Sequence, residues 1–329
     1  GYGSQALSLK YLGANFEHWK ISEWAIKSIQ AYKDLHFGAD NTDYSSGMGD
    51  RELGDELERR CISSDYKKPL TRQQIDRLST DTKRKIYNNM VASHNLGSVT
   101  GVHGKDLEIV DKDKYCYVMS YSYPCQAISN AGKKEGLKKD SGTTSSLLWE
   151  VERILSELAG GGEPNILLME NVPPLLQEKN VYDFAEWCKF LEKLGYKNYY
   201  KVLNTKDFGI PQNRERVFMV SILGDYDFDF PMPIRDNGLS LKEILEKNVP
   251  EKYYLKDKIV EYFVRHTEEQ KSAGNGFKFE PIDVSRGGQL AKTINTRNGS
   301  RMDDTYISTD GDCCFVIYCV YKFGAAFVL

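Results

Sequence analysis

One cysteine, one glutamate and two arginines of this 329-residue chain stand beside short apolar runs. Cys125 and Glu170 each follow such a run, whereas Arg214 and Arg216 lie just before another. Runs of this kind predict buried strands, and ligands of open α/β sheets bind beyond the carboxyl ends of the strands. The sequence therefore predicts a thiol, a carboxylic acid and two guanidinium groups near one edge of one sheet.

This set of groups suits attack on a pyrimidine ring. A thiolate is a good nucleophile towards an electron-poor ring carbon, and a nearby carboxyl group can donate a proton or a hydrogen bond to a ring nitrogen. A guanidinium group can bind an exocyclic carbonyl and stabilise developing negative charge. The five histidines show no spacing typical of a zinc site or a protease, so we expect no metal. A cysteine–histidine hydrolase stays open, because its catalytic residues need only meet in space.

Strands and helices alternate in the middle of the chain, which is typical of βαβ units and a mostly parallel sheet. Apolar runs predict strands over residues 115–119, 165–169, 199–203 and 217–222. We expect the last two of these strands to close the sheet as a pair. Helical periodicity predicts helices over residues 143–158 and 181–194.

Composition and charge narrow the class of protein. The 44 Lys and Arg against 47 Asp and Glu leave a net charge of −3, so no bulk basic charge indicates a polyanionic partner. Seven cysteines without a CxxC pair favour a reducing, intracellular setting over a disulfide scaffold. The polar stretch over about residues 36–103 predicts an insertion with some helix of its own. Prolines after residue 228 interrupt the alternation and predict a second, smaller domain.

Six motifs in a fixed order resemble those of the cytosine C5-methyltransferases, which use S-adenosylmethionine. They are Gly1-Tyr2-Gly3, Ser22-Glu23-Trp24, Gly104-Lys105-Asp106 and residues 122–129, 169–172 and 207–218. Residues 291–294 resemble the segment in which the family chain returns from its target-recognition domain. The resemblance implies an α/β fold of the Rossmann-like methyltransferase type. Such a fold has a mixed sheet with helices on both faces, and here a small target-recognition domain would be added.

The resemblance also implies the roles of the reactive residues. Cys125 would attack C6 of cytosine, and Glu170 would contact N3 and the exocyclic amine. Arg214 and Arg216 would hold the flipped base and the strand, with Arg216 the better candidate for the base O2. Asn171 would brace the Cys125 loop. The residues expected to bind substrate are Gln126, Ser129, Asn171 and Gln212.

Cofactor-binding roles come from the same comparison. Gly1 and Gly3 would let the backbone approach the cofactor, Glu23 would bind its ribose hydroxyls, Trp24 would pack on its adenine and Asp106 would accept from the adenine amine. Pro124 completes this set. A glycine-rich turn followed about 20 residues later by an acid is how α/β folds hold a nucleoside. Each of three residues could instead have a purely structural role. Trp24 would then be a core residue of a helix over residues 19–26, Asp106 would be a turn residue, and Cys125 would be an inert buried thiol.

The two ends depart from the family pattern. The family begins with an apolar strand before its first glycine, whereas this chain starts at Gly1, and we expect no signal peptide. The apolar tail of residues 313–329 stands where the family has a motif with a Gly-Asn pair, and Thr143 and Thr144 stand near the position of a family arginine. A membrane helix, a terminal core strand and a truncated or frame-shifted end are the three interpretations of that tail. We expect a fragment that is poorly soluble and binds S-adenosylmethionine weakly.

The predicted organisation is a catalytic domain over residues 1–223, a recognition domain over 224–289 and a return segment with an atypical end over 290–329. Its predicted function is methyl transfer from S-adenosylmethionine to C5 of cytosine in duplex DNA, with base flipping and with residues 129–142 as a lid. Residues 251–301 hold ten basic and seven acidic side chains, which suits a DNA-facing domain.

We expect a monomer without membrane contact in the cytoplasm of a bacterium. It would be bacterial or phage-encoded, associated with the nucleoid, and have a cognate restriction endonuclease as a functional partner. Methylation of tRNA is one alternative. A non-catalytic DNA-binding fragment with an incomplete cofactor pocket is another.

Overall fold

Short strands and amphipathic helices alternate through the middle of the chain, as the apolar periodicity predicts. The computed structural model describes residues 3–124, 147–234, 240–246, 249–274, 276, 278–285, 290–293, 301–308 and 315–316. Its helices are α1 Ser4–Tyr11, α2 Ile26–Phe37, α3 Asp50–Arg59, α4 Arg72–Asp76, α5 Thr80–Ala92, α6 Leu148–Leu158, α7 Glu178–Lys193, α8 Leu241–Ile244 and α9 Asp257–Ser272. Its strands are β1 Val118–Tyr121, β2 Ile166–Asn171, β3 Tyr196–Asn204, β4 Glu215–Leu223, β5 Ile282–Asp283, β6 Ile307–Ser308 and β7 Phe315–Val316.

Four of these strands form a mixed sheet in the order β1-β2-β4-β3. β1 runs parallel to β2, and β4 runs antiparallel to β2 with Met169 opposite Met219. Hydrogen bonds from Gly224 N to Gly195 O and from Thr205 N to Arg214 O show that β3 and β4 also run in opposite directions. The expectation of a mostly parallel sheet is therefore wrong. The link between β3 and β4 is too short for the crossover of a dozen or more residues that a parallel pair needs.

Helices α6 and α7 share one hydrophobic core with the central strands β2 and β4. Alternation along β2 turns Leu167, Met169 and Asn171 to the buried face, and the intervening residues are only half-buried. The helices contribute Leu148, Val151, Ile154, Leu155, Leu158, Phe184, Trp187 and Leu191. This burial drives the assembly, because each fully buried aliphatic side chain stabilises the fold by roughly 1.5–3 kcal/mol.

Two predicted elements differ from the structure. The strand predicted over 115–119 begins only at Val118, because the backbone N–H of Tyr117 donates to the side-chain oxygen of Asn165 at 2.9 Å. The helix over residues 19–26, one interpretation of Trp24, is wrong: α2 begins at Ile26. The carbonyl of Trp24 instead accepts from Ser63 N at 2.7 Å. The first residues of the predicted helix 143–158, up to 146, lie outside the described residues.

The polar insertion packs with helix α2 around a second, smaller core. Helices α2 to α5 bury Ile29, Leu57, Ile62, Ile75, Ile86 and Met90 together. The ammonium group of Lys83 is fully buried and lies 2.7 Å from the carboxylate of Asp50 at the start of α3. A buried charge requires such a partner, since removing that partner is strongly destabilising. The predicted helical character of the insertion is confirmed.

The chain divides into two compact units, residues 1–201 with 217–229 and residues 202–216 with 230–329. In the second unit, β5, β6 and β7 form a small sheet. Its two hydrophobic clusters are one around Leu241, Ile244 and Ile307 and one of Phe279, Met302 and Tyr306. The functional domains over residues 1–223, 224–289 and 290–329 stay a prediction, as does the tail from 313, which lies almost wholly outside the described residues.

Candidate active site

The carboxyl ends of β1 and β2 are joined by side-chain hydrogen bonds. The hydroxyl of Ser122, just after β1, donates to Oε2 of Glu170 at 2.8 Å. The side-chain amide of Asn171 donates to the carbonyl of Tyr123 at 3.3 Å. Both bonds act on the segment that leads to Cys125 in the sequence. Cys125, Gln126, Ser129 and the predicted lid over residues 129–142 lie outside the described residues.

Glu170 and Asn171 end strand β2 rather than follow it. Their register partners on β4 are Phe218 and Val217, so the ladder fixes the backbone of both residues. Glu170 is half-buried, whereas Asn171 is only 2% exposed and its side-chain oxygen accepts from Val172 N at 2.8 Å. The end of β2 therefore carries a half-buried acid and, on the opposite face of the sheet, a buried amide.

Asp106 lies in a 3₁₀-helix, Gly104–Leu107, that α6 holds in place. The carboxylate of Glu157 on α6 accepts from Gly104 N and from the guanidinium of Arg153, each at 2.7 Å. The Gly104 N–H and the Arg153 guanidinium lower the pKa of Glu157 to about 2. A Cβ atom on Gly104 would lie 3.0 Å from Glu157 Cβ, so glycine allows this close approach.

A cavity of about 250 Å³ opens beside Asp106. Its lining residues are Arg59, Arg60, Leu96, Gly101, Val102, Asp106 and Glu108. Burial lowers the pKa of the Arg60 guanidinium, which donates to the carbonyl of Asn95. Four of these seven lining residues are charged, and Leu96 and Val102 add apolar surface. Oδ2 of Asp106 accepts from His103 N at 2.9 Å. Glu23 and Trp24 are not among the lining residues.

The N-terminal glycine turn packs tightly against α2. Gly3 adopts φ 64° and precedes α1, and a Cβ atom there would lie 2.3 Å from the ring of Tyr32. Only glycine meets both requirements. Glu23 accepts from Ala25 N at 2.9 Å at the start of α2, and Trp24 beside it is half-buried. Gly1 lies outside the described residues.

The arginine motif belongs to the second unit, where side-chain hydrogen bonds shape it. Oδ1 of Asn204 accepts from Arg214 N at 3.1 Å. Gln212 is 3% exposed, and its amide donates to Lys292 O at 3.4 Å. Asn213 N donates to Ala291 O at 2.8 Å, so residues 291–293 run beside this motif. Gln212 and Ala291 form a parallel β-bridge, and the assignment of residues 290–329 as a return segment stays a prediction.

Three groups of residues were not predicted. Ser122 belongs to a recognised motif and directly follows a strand, which was a usable signal. Glu157 carries only the i, i+4 pairing with Arg153 as a signal. Arg59 and Arg60 come from the insertion, and nothing in the sequence indicates that they lie beside Asp106.

Comparison with known proteins gives the class first and the family second. A structure of the methyltransferase Dnmt2 of S. pombe superposes with a TM-score of 0.59 over 95% of this chain and 75% of that one, at 13% identity. The methyltransferase EhMeth of Entamoeba histolytica gives 0.50 over 68% of this chain and 62% of that one, at 18% identity. These similarities show the fold, that of an α/β Rossmann-like methyltransferase.

Sequence similarity identifies the family. Residues 68–312 match the C-5 cytosine-specific DNA methylase family. The type II methyltransferase M2.ScrFI of Lactococcus lactis subsp. cremoris is 38% identical to this chain. The match covers 78% of this chain and 68% of the length of M2.ScrFI. The orphan methyltransferase M.SssI of Spiroplasma monobiae is 33% identical to this chain. The match covers 87% of this chain and 72% of the length of M.SssI. The chain belongs to the C-5 cytosine-specific DNA methylases.

No helix within the described part of the chain is both long and apolar enough to cross a membrane.

Proposed function

We propose that this enzyme transfers a methyl group from S-adenosylmethionine to C5 of cytosine in duplex DNA, through attack by Cys125 on C6. The observation that carries the proposal is the pair of bonds from Ser122 to Glu170 and from Asn171 to Tyr123. They hold a carboxyl group and the segment leading to a cysteine at neighbouring strand ends. Family membership supports the same assignment.

The proposed reaction begins at C6 of the base. The thiolate of Cys125 forms a bond to C6, and the electron pair of the C5–C6 double bond moves towards C5. Glu170 donates a hydrogen bond or proton at N3, which makes C6 more electrophilic. C5 then forms its bond to the methyl group, while the bond between that methyl group and the sulfonium sulfur of S-adenosylmethionine would break and S-adenosylhomocysteine would leave. Loss of the C5 proton to a base restores the double bond and expels the thiolate, so the enzyme is regenerated.

Two arginines are proposed to hold the substrate. Arg216 would bind the O2 carbonyl of the base and stabilise negative charge there, and Arg214 would contact the strand. The base must leave the duplex stack to reach Cys125, at a cost of roughly a few kcal/mol. Gln126, Ser129 and Gln212 are assigned to substrate binding on the family motif alone, and residues 129–142 are proposed as the lid over the flipped nucleotide.

The cofactor site is proposed around Asp106. S-adenosylmethionine supplies an electrophilic methyl group when it is bound. Asp106 is among the residues that line the cavity, and its carboxylate would accept from the adenine amine. Gly3 would let the backbone approach the cofactor closely because it has no side chain. Glu23 is proposed to bind the ribose hydroxyls, and Trp24 is proposed to pack on the adenine. Gly1 and Pro124 complete the proposed set.

Duplex DNA is the proposed substrate because the sequence relatives carry names of type II methyltransferases. The same bacterial relatives support the proposal of a location in the bacterial cytoplasm and of a restriction endonuclease as a functional partner. We also propose that the enzyme is a monomer. Methylation of tRNA is the alternative, and the test is transfer of labelled methyl groups to duplex DNA and to tRNA in parallel. Label on duplex DNA alone, at positions that resist bisulfite conversion, is expected. Label on tRNA alone would overturn the substrate assignment.

A non-catalytic DNA-binding fragment is tested separately. Calorimetric titration with S-adenosylmethionine should give heat of binding that Asp106→Ala reduces, with Asp113→Ala as a control for loss of one surface carboxylate. DNA binding without any cofactor binding would favour the non-catalytic alternative.

A further inference from the structure

We infer that Ser122 is a positioning residue for Glu170, an inference that rests on the proposed function. Nothing in the comparisons assigns Ser122 a role. Its hydroxyl lies 2.8 Å from Oε2 of Glu170, a normal length for an O–H···O hydrogen bond to a carboxylate. The two residues belong to different motifs, 48 positions apart in the sequence.

The backbone geometry favours this contact. The register of β1 and β2 ends with Tyr121 opposite Met169, so Ser122 and Glu170 each come one residue after that pair. Neighbouring strands lie about 4.8 Å apart, which a serine and a glutamate side chain can span. The contact therefore follows from the ladder rather than from a chance rotamer of a long surface side chain.

The hydrogen bond restricts the orientation of the carboxyl group. The last torsion of a glutamate side chain is broad and roughly two-fold, so a hydrogen bond to one carboxyl oxygen narrows the range of orientations of the carboxyl plane. A donor directly after β1 holds Oε2 on the side of that strand, and the direction of Oε1 follows. Hydrogen bonding at N3 requires one carboxyl oxygen in the plane of the base, and misplacement of a catalytic group by about 1 Å can reduce the rate by about 10²-fold.

Ser122 also connects the acid to the segment of the nucleophile. It lies three residues before Cys125, and the next residue, Tyr123, is held by Asn171. Ser122 itself is exposed, so removing its hydroxyl leaves no new buried polar group. A loss of activity in Ser122→Ala would therefore come from orientation of Glu170 rather than from loss of folding.

The test measures release of tritium from duplex DNA that carries tritium at C5 of every cytosine. When the Cys125 thiolate adds to C6, C5 takes a proton from water. Loss of the tritium to water and expulsion of the thiolate then complete the exchange. This reaction needs no methyl donor, so it reports on attack independently of the cofactor site.

Ser122→Ala is expected to lower kcat for exchange by 10-fold to 100-fold, with KM for DNA within about twofold of the parent. Ser122→Thr keeps the hydroxyl and should restore most of the rate. Ser120→Ala is the matched control: Ser120 lies on β1, is exposed, and its side chain makes no hydrogen bond among the described residues. The control should exchange at the parent rate, and all variants should melt at the parent temperature.

A double variant separates positioning from other effects. If Ser122 acts through Glu170, then Ser122→Ala combined with Glu170→Gln should be no slower than Glu170→Gln alone. Parent rates in Ser122→Ala, or a further tenfold loss in the double variant, would overturn the inference while Glu170 keeps its role. Parent rates in Glu170→Gln would instead overturn the role of Glu170, and the role of Ser122 with it.

Discussion

The buried side-chain amide of Asn171 donates a hydrogen bond of 3.3 Å to the backbone carbonyl of Tyr123, two residues before Cys125. Strand β2 therefore holds the segment that leads out of β1. A backbone carbonyl that accepts from a buried amide is restrained in position, because leaving it without a partner costs about 1–3 kcal/mol. This bond is the contact through which Asn171 is proposed to brace the segment that leads to Cys125.

Asn171→Asp tests this brace with little change of shape. The aspartate keeps the oxygen that accepts from Val172 N but loses the N–H that donates to Tyr123. We expect a loss of at least about 1–3 kcal/mol in the free energy of unfolding, because the carbonyl of Tyr123 loses its donor and a buried carboxyl oxygen faces it instead, and we expect slower methyl transfer. Chemical denaturation and a methylation assay measure the two effects. Unchanged stability and rate would show that the brace is dispensable.

Much of the site is predictable from the sequence, because its residues lie in motifs at strand ends. The apolar run before Glu170 and the run after Arg216 became β2 and β4. The support around them was not predictable. The hydrogen bond from Gly104 N to Glu157 joins two segments 53 positions apart. No local sequence pattern indicates which glutamate accepts from the backbone of which glycine.

Glu170→Gln tests the proposed acid. A carboxyl group that assists attack at N3 should matter more to rate than to DNA affinity, because its bond strengthens in the transition state. We expect methyl transfer to fall by roughly 10²–10⁴ while the Kd for DNA changes little. Glu178→Gln, on the exposed first turn of α7, is the matched control. An equal loss of affinity and rate would mark Glu170 as structural.

The pH dependence of stability should reveal the role of Glu157. Its folded-state pKa is lowered from 4.5 to about 2, so its ionised form stabilises the fold above the unfolded pKa. Glu157→Gln should be less stable than the parent at neutral pH. The difference should shrink as the pH falls from 4.5 towards 2.

Urea unfolding across this pH range checks the prediction. Glu192→Gln is the control, because its side chain makes no hydrogen bond or ion pair within the part of the chain that the structure describes. A constant difference between the parent and Glu157→Gln down to pH 2 would contradict the ionised bond to Gly104.

Gln212 distinguishes two roles that the sequence could not separate. Its side chain is buried and donates to Lys292 O, whereas the family motif assigns it to substrate. A role in holding the return segment predicts that Gln212→Ala lowers the melting temperature and leaves kcat nearly unchanged. A role at the substrate predicts the reverse, and calorimetry with a methylation assay decides between them.

The fold was less predictable where strands or core residues that are distant in the sequence pack together. Helix α7 followed from apolar spacing, within three residues at its start. The antiparallel placement of β4 beside β2 did not, because strand order depends on which edges meet after the helices have packed. The core that the insertion shares with α2 could not be predicted either, because it joins Ile29 to residues 28 to 61 positions later in the sequence.

The central claim is that Cys125 attacks cytosine. Its most direct test is incubation with S-adenosylmethionine and duplex DNA in which every cytosine is 5-fluorocytosine. Fluorine at C5 blocks the elimination that releases the thiolate, so attack and methyl transfer should leave a covalent complex. The account predicts that peptide mass spectrometry places the methylated base on Cys125 and that Cys125→Ser forms no complex. A complex that survives Cys125→Ser unchanged, or that lies on another residue, would contradict it.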